Sequence, residues 1–579
     1  MSVVENGQHA GVAPIYRDDP RLQSLIGPGG PFEVETVTVD GVPVRSFIRA
    51  PRTVIDCFRA SHQHEDLVHI VFEGERHTFR AVRQRSLSLA RALRETYGVG
   101  PGDRVTLAMR NLPEFVVGFW GAALLGAIVV PLNAWWTGPE LSFAIKDAGA
   151  KAVIADEERL QRLTSAGWDR VRAPAVIAVR TSDTEKYDSV AIDILTAGDP
   201  LSEEELAAMG PDDPVTILYT SGTTGYPKGA LATSRSAISN LMNMAFMGAR
   251  ETILSGRPTP PPRQSAAIAA SPLFHIGGMA AIVGGAMSGS KMVLMRKWSV
   301  EEGLALARAE NVTGLGGVPA IARQVLSHPD VEKLGLDIRT IPMGGAAVPP
   351  DLPKRAISLF GESVQILNGY GLTETTSAVV TNVGSEYVSH PESVGRPNLT
   401  ADIRIESEDG RSLGPNDVGE LCFRSPQVAT GYWNRPDDTK MSFVDGWFHT
   451  GDLGYLDQDG FVYVVDRLKD MVIRGGENVY CAEVEAVLFE HPGISDVAVI
   501  GLPEEQMGER VCAVVVPNAD AAPGLNEIRD FVLDRLGAFK CPEALYVIDD
   551  LPRTATGKTD KRELRAVLAD NGDAVAHSW

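Results

Sequence analysis

Cysteine is scarce in this 579-residue chain. Its five cysteines, Cys57, Cys422, Cys481, Cys512 and Cys541, are scattered and form no C-x-x-C pair. That excludes a disulfide frame and a paired-cysteine zinc site, and reads as reduced structural thiols in a cytoplasmic protein. An excess of basic charge is also missing. Lys+Arg is 54 against Asp+Glu 75, a net charge of −21. Broad binding to nucleic acid or to an anionic membrane is therefore not expected, although a local pocket can still hold an anion against the global field. The opening MSVVENGQHAGVAPIYRDDP has no basic start followed by an apolar run, so no secretory signal is read there. The apolar stretch Phe115–Leu132 approaches the length of a spanning helix, but Gly118, Gly121 and Gly126 interrupt it. A core helix followed by a short buried strand is the expectation, which restricts membrane contact to peripheral attachment. No internal repeat stands out.

What is present is the composition of a globular enzyme, 44% hydrophobic and 22% charged. The length corresponds to roughly three or four domain-sized units. From His69 short apolar strands alternate with amphipathic helices: LVHIVF, TFRAVRQRSLSLARALRETYG, RVTLAMRN, ELSFAIKDAGA, KAVIAD, then VTILYTS after a break at Asp212–Pro214. Such alternation predicts βαβ units with mostly parallel sheets. RPTPPPR (257–263) reads as a proline-rich surface loop. From Ala401 short strands separated by turn residues predict a small β-rich subdomain, and after Asp466 comes a last α+β unit with its own core. The fold class is thus α/β: a large N-terminal domain of βαβ subdomains with parallel sheets plus the β-rich subdomain, and a small mobile α+β C-terminal domain.

The sharpest local feature is YTSGTTGYPKG (219–229), which follows the apolar strand VTIL. Thr220, Ser221, Thr223 and Thr224 offer hydroxyls, Gly222 and Gly225 let backbone N–H groups face a ligand, and Lys228 adds a point charge. A loop of donors with one lysine suits a polyphosphate. It is not a Walker loop, because no glycine precedes Lys228 and no Ser or Thr follows it. By composition alone it is equally a surface turn.

This string resembles the phosphate-binding signature of the adenylate-forming superfamily, which includes acyl-CoA synthetases, luciferases and peptide-synthetase adenylation domains. Further segments match in the family's order from about His69 to Lys558: SPLFHIGG (271–278), IPMGGAAVPP (341–350), NGYGLTETT (368–376), WFHTGDLG (447–454), DRLKDMVIRGGENVYCAEVE (466–485) and PRTATGK (552–558). The resemblance implies ATP, Mg²⁺ and coenzyme A as cofactors and co-substrates. It divides the chain into an N-terminal extension (1–50), an AMP- and acid-binding domain (51–466) and a mobile C-terminal domain carrying the catalytic lysine (467–579).

It also implies roles for individual residues. Glu374, beside Thr373, holds Mg²⁺, shared with Thr220; a hard cation takes carboxylate oxygen. Gly345, Ala346 and Ala347 let adenine lie against backbone, with Asn368, Gly369, Tyr370 and Gly371 completing the nucleotide site and Tyr370 stacking. Asp452 accepts from the ribose hydroxyls, with Arg467 nearby. Lys558 bridges the substrate carboxylate and the α-phosphate, because two anions brought together need a cation between them. His275 flanks the acyl-adenylate or the acid tunnel; its plain alternative is a packed core histidine. Lys469 is the hinge about which the C-terminal domain turns. Gly475 and Gly476 border the path of the pantetheine arm.

The function implied is an ATP-dependent carboxylic acid–CoA ligase working through an acyl-adenylate. LFHIGG carries no aspartate to pair with an ammonium, which argues against an amino acid substrate, and the bulky tryptophan expected of acetate enzymes is missing near NGYGLTE. Gly277, Gly278 and Gly369 leave room for a larger acyl group, and Met279, Ala280 and Ala281 suit an apolar one. A medium- or long-chain fatty acid is expected, with an arylpropenoic or steroid side-chain acid as the alternative. Ser234, where many relatives have histidine, and WWTGPEL (135–141) depart from the family's pattern. Rival readings are an adenylating enzyme that loads a carrier protein, a luciferase-like oxidation and a dead regulator; Lys558, Glu374 and the Thr/Gly loop, all present, argue against the last. The partners expected are the acid, ATP and CoA, with no nucleic acid; homodimers occur in the family, and nothing in the sequence decides that point.

Overall fold

Apolar runs without alternation become strands buried on both faces. Val105, Leu107, Val129, Val130, Val153, Ile154 and Ile177 are all fully enclosed. They belong to a seven-stranded sheet in the order 228–233, 214–220, 128–131, 104–108, 152–156, 175–179, 190–191. All its neighbours are parallel except the 214–220/228–233 hairpin. The computed structural model describes residues 14–168, 174–220, 227–256, 263–346, 348–349, 351–474, 477–504, 506–518, 522–554 and 558–570. They fall into two compact units, Met1–Asp402 with Phe423–Phe448, and Ile403–Cys422 with His449–Trp579.

In the first unit the Phe115 stretch is a helix, Pro113–Ala123, followed by the strand Ile128–Pro131, with Gly126 at φ +69 turning the chain between them. No described helix is long and apolar enough to cross a membrane. Two four-stranded sheets complete the frame, in the orders 266–269, 291–294, 68–72, 75–78 and 340–344, 365–372, 377–383, 396–397. The helix Phe79–Glu95 is capped by Thr78, whose hydroxyl accepts from Ala81 N, and it ends three residues before Gly98. In RPTPPPR only Arg263 lies among the described residues.

The N-terminal stretch is built into this unit. A hairpin, Val34–Val39 with Val42–Phe47, and the side chains of Tyr16, Leu22 and Phe32 pack on Phe246, Met247, Val383 and Leu399. Tyr16 is fully buried, meets Phe246 edge-on at 5.4 Å, and donates its hydroxyl to Pro397 O at 2.7 Å. Burial pushes its phenol up to about 12.

The second unit has a five-stranded sheet in which Ile494–Glu504 pairs antiparallel with Gly508–Pro517 and Ala544–Val547 adds in parallel. The helices Cys481–Phe489 and Leu525–Leu533 cover one face through Val484, Leu488, Ile528 and Val532, and Lys561–Asp570 covers the other through Leu564 and Leu568. The chain is thus mixed α/β, with parallel sheets in a large N-terminal part and a small C-terminal domain. All five cysteines are buried and unbridged.

Tyr16→Ala removes a buried ring and its hydrogen bond, and is expected to destabilise the first unit by about 3–5 kcal/mol. A denaturation midpoint equal to that of the wild type contradicts this account of the N-terminal stretch.

Candidate active site

The strand Pro214–Thr220 delivers Thr220 and the strand Lys228–Thr233 begins at Lys228, so the hairpin holds the two ends of the Gly/Ser/Thr loop side by side, Thr220 opposite Lys228. Ser221, Gly222, Thr223, Thr224 and Gly225 lie outside the described residues. Beyond the hairpin runs the segment 431–433: Leu231 N donates to Gly431 O at 3.0 Å and Trp433 N to Gly229 O at 2.7 Å. Gly229 is required here, because a Cβ would stand 2.5 Å from the Ile217 side chain.

That pairing assembles a charged row. Lys228 Nζ is 2.5 Å from Asp438 Oδ1 and 5.3 Å from the centre of the Tyr432 ring. The Tyr432 hydroxyl donates to Glu374 Oε1 at 2.8 Å. Burial, and then the negative charge of Glu374, raise the Tyr432 phenol above its ordinary value. Tyr432 and Asp438 carry no role in the sequence reading. GYWNRPDD shows aromatic and acidic residues, but not that this loop lies along the 228–233 strand.

Glu374 is buried, on the short turn Thr373–Thr375 that packs against that strand. Its backbone carbonyl accepts from Ala429 N at 2.7 Å. Glu374 and Thr220 offer hard oxygen donors, a set that suits Mg²⁺. The segments 341–350 and 368–376 converge because strands Thr340–Gly344 and Gln365–Leu372 are parallel neighbours, with Met343 opposite Asn368 and Gly344 opposite Gly369. Gly345 (φ +81) and Ala346 stand exposed at the end of this pair, and Tyr370 lies 6.1 Å from Phe423. Gly371 allows a close approach, since a Cβ there would come within 2.0 Å of Ser377 O. Ala347 lies outside the described residues.

SPLFHIGG forms the entry to the helix Ile276–Ser288. His275 is its N-cap residue, half-buried, with its ring 4.5 Å from Phe274. A cavity beside this helix is walled by Phe119, Val215, Leu241, Ile276, Met279 and Val283. Met279 and Ala280 line it, in keeping with an apolar pocket, but two of the glycines expected to make room do not. A Cβ at Gly278 would meet the Leu273 backbone at 2.4 Å, and one at Gly369 the Ala378 Cβ at 2.9 Å. Both are close-packing glycines; Gly277 faces open space. Ser234 is fully buried, and its hydroxyl accepts from Val54 N at 3.3 Å, a packing role.

The second unit holds the other candidates. Asp452 stands directly opposite Arg467 in the pair Trp447–Leu456/Val462–Arg467, with Arg467 Nε 3.2 Å from Asp452 Oδ1. Asp452 is 4% exposed, and its N–H donates to Thr450 Oγ1 at 3.0 Å. Gly451, at φ +70 within the same strand, donates its N–H to Glu420 Oε1 at 2.8 Å. Lys469 sits in the tight turn closed by Asp470 N and Met471 N on Arg467 O. Its side chain reaches solvent, yet the protein crowding its ammonium, and then the like charge of Arg467, hold it below the ordinary lysine value. Lys558 is half-buried, and its carbonyl accepts from Thr554 N at 2.7 Å. Gly475 and Gly476 lie outside the described residues.

An acylating reagent reads the amine state directly. Between neutral pH and the ordinary lysine pKa, Lys469 holds more free amine than Lys333, whose ammonium is stabilised by Asp330. Limited acetic anhydride labelling followed by peptide mass spectrometry is expected to modify Lys469 faster. Equal or slower labelling contradicts the depressed value.

The AMP-binding enzyme family model matches residues 57–433, and the AMP-binding enzyme C-terminal domain model matches 483–558. The long-chain-fatty-acid–CoA ligase FadD13 of Mycobacterium tuberculosis is 34% identical over 472 residues, 81% of this chain and 88% of that protein. Feruloyl-CoA synthase of an Amycolatopsis species is 33% identical over 490 residues, 84% and 93% of the two chains. Among solved structures, o-succinylbenzoate CoA synthetase (MenE) of Bacillus subtilis, in complex with its acyl-adenylate intermediate, superposes with a TM-score of 0.72 at 28% identity, covering 89% of this chain and 98% of that one. The chain therefore belongs to the AMP-binding enzyme family, the adenylate-forming superfamily of the acyl-CoA synthetase type.

Proposed function

We propose that the protein is an AMP-forming carboxylic acid–CoA ligase. A carboxylate oxygen attacks the α-phosphorus of ATP and the bond to pyrophosphate breaks. The thiol sulfur of CoA then attacks the acyl carbonyl, AMP leaves, and the thiol proton passes to solvent. The observation that carries this reading is the Asp438–Lys228–Tyr432–Glu374 row, which sets one cation and one buried carboxylate at the hairpin end that holds Thr220 opposite Lys228.

In this reading Thr220, Lys228 and the loop between them bind the polyphosphate. Glu374 and Thr220 hold Mg²⁺, which neutralises phosphate charge when bound. Thr373 and residues 368–371, with Gly345, Ala346 and Ala347, frame the adenine, and Tyr370 stacks on it. Asp452 binds the ribose, and Arg467 supports Asp452 from the neighbouring strand. Lys558 sits between the reacting carboxylate and the α-phosphate. Residues 467–579 move as a domain hinged at Lys469, which brings Gly475 and Gly476 to the pantetheine path, while 51–466 holds the nucleotide and 1–50 braces it. His275 flanks the acyl group. No side chain becomes covalently attached; position and charge do the work. The acid has an apolar body larger than acetate, a medium- or long-chain fatty acid or an arylpropenoic acid. The apolar cavity walls support this.

Lys558→Ala tests the division of labour. Pyrophosphate release is expected to fall about 10²–10³-fold, while conversion of a supplied acyl-adenylate to thioester with CoA falls far less. Equal loss in both steps contradicts the role given to Lys558. A supplied adenylate that yields no thioester with CoA contradicts the acceptor.

A further inference from the structure

The cavity beside the helix Ile276–Ser288 is not apolar throughout. Three of its lining residues, Thr216, Asn240 and Thr376, are polar and buried, and the last two are only 3% and 2% exposed. Asn240 Oδ1 and Thr376 Oγ1 are buried atoms without a hydrogen-bond partner. A buried polar atom left unpaired opposes folding, and a ligand group that pairs with it offsets that cost. Here the two residues that carry such atoms line one cavity.

Thr376 is unusual in a second way. It has φ +48 and ψ +53, and Ser377 follows at φ +86. Left-handed backbone is unfavourable for a β-branched residue and persists where the surroundings over-determine it, often at ligand sites. The strain sits two residues after Glu374, at the end of the Thr373–Thr375 turn, and it holds Thr376 among the residues that line the cavity. Asn240 comes from a different element, the helix Ser234–Ser255, and its neighbour Leu241 supplies apolar wall. A plain alkyl or phenyl group would leave both polar atoms unpaired. A hydroxyl both donates and accepts, so it satisfies Asn240 in either orientation of its amide and Thr376 in either role.

We infer that this cavity selects carboxylic acids whose apolar body carries a hydroxyl group, with Asn240 and Thr376 as the residues that recognise it. The inference rests on the acid-activating reading above and narrows it from apolar acids at large to hydroxylated ones. A site built to hydrogen-bond a substrate hydroxyl discriminates strongly against the analogue without it, because binding that analogue leaves the site's own groups unpaired.

The test uses two matched pairs, octanoic with ω-hydroxyoctanoic acid and phenylpropenoic with para-hydroxyphenylpropenoic acid. Pyrophosphate release with ATP and Mg²⁺ and thermal protection by each acid are measured on the full chain. In at least one pair, wild type is expected to favour the hydroxylated acid by about tenfold or more in kcat/KM. Asn240→Leu and Thr376→Val should each bring that ratio toward unity. Asn240→Leu should also melt no lower than wild type, since it replaces an amide whose buried Oδ1 is unpaired by an apolar group. That separates lost recognition from lost folding. Equal use of both acids in each pair, or a preference that survives Asn240→Leu, overturns the inference and leaves the ligase reading standing. Protection by the hydroxylated acid that Asn240→Leu abolishes, with no pyrophosphate from any acid, upholds the pocket and removes the ligase reading. Neither protection nor turnover with any of the four overturns the inference.

Discussion

The contact on which the first unit's chemistry depends is the laying of residues 431–433 along the strand 228–233. Two backbone hydrogen bonds fix it, Leu231 N to Gly431 O and Trp433 N to Gly229 O. Through it Tyr432 bridges a lysine of one motif to a glutamate of another, while Asp438 pairs with that lysine. The ammonium of Lys228 is therefore compensated in the folded chain. In the proposed reading a polyphosphate, with several negative charges, displaces the single carboxylate of Asp438 from it. The arrangement keeps a partly buried cation satisfied without making it unavailable.

Much of this was legible in the sequence, for identifiable reasons. Unbroken apolar runs such as VTIL and the AVIAD of KAVIAD became buried strands of the seven-stranded sheet, and the glycine-broken stretch at Phe115 became a helix and a strand, because period and length carry that information. The motifs announced themselves as strings. The partners of those motifs did not. Tyr432 reaches Glu374 across 58 positions and Asp438 reaches Lys228 across 210, distances over which no local pattern speaks. Glycines misled in a specific way: Gly278 and Gly369 read as spare room, whereas each is where another segment presses close. A glycine in a sequence reports that a side chain is absent, not whether the space is empty.

The cavity beside the helix Ile276–Ser288 shows the same division. Met279 and Ala280 were apparent as apolar neighbours of LFHIGG, but Asn240 and Thr376 come from a distant helix and from a strained turn, and only the fold puts them on one wall. The catalytic idea needs no nucleophile from the protein. It needs cations where phosphate and carboxylate meet, a buried carboxylate for a metal, and a dry pocket for the acyl group.

The most direct measurement of the central claim is product stoichiometry in one reaction of the purified chain with ATP, Mg²⁺, CoA and a panel of fatty and aryl acids. The account predicts one AMP, one pyrophosphate and one acyl-CoA thioester per acid consumed, and in the absence of CoA an enzyme-held acyl-adenylate with pyrophosphate. ADP and phosphate as products, or AMP and pyrophosphate formed with no acid activated, would contradict it.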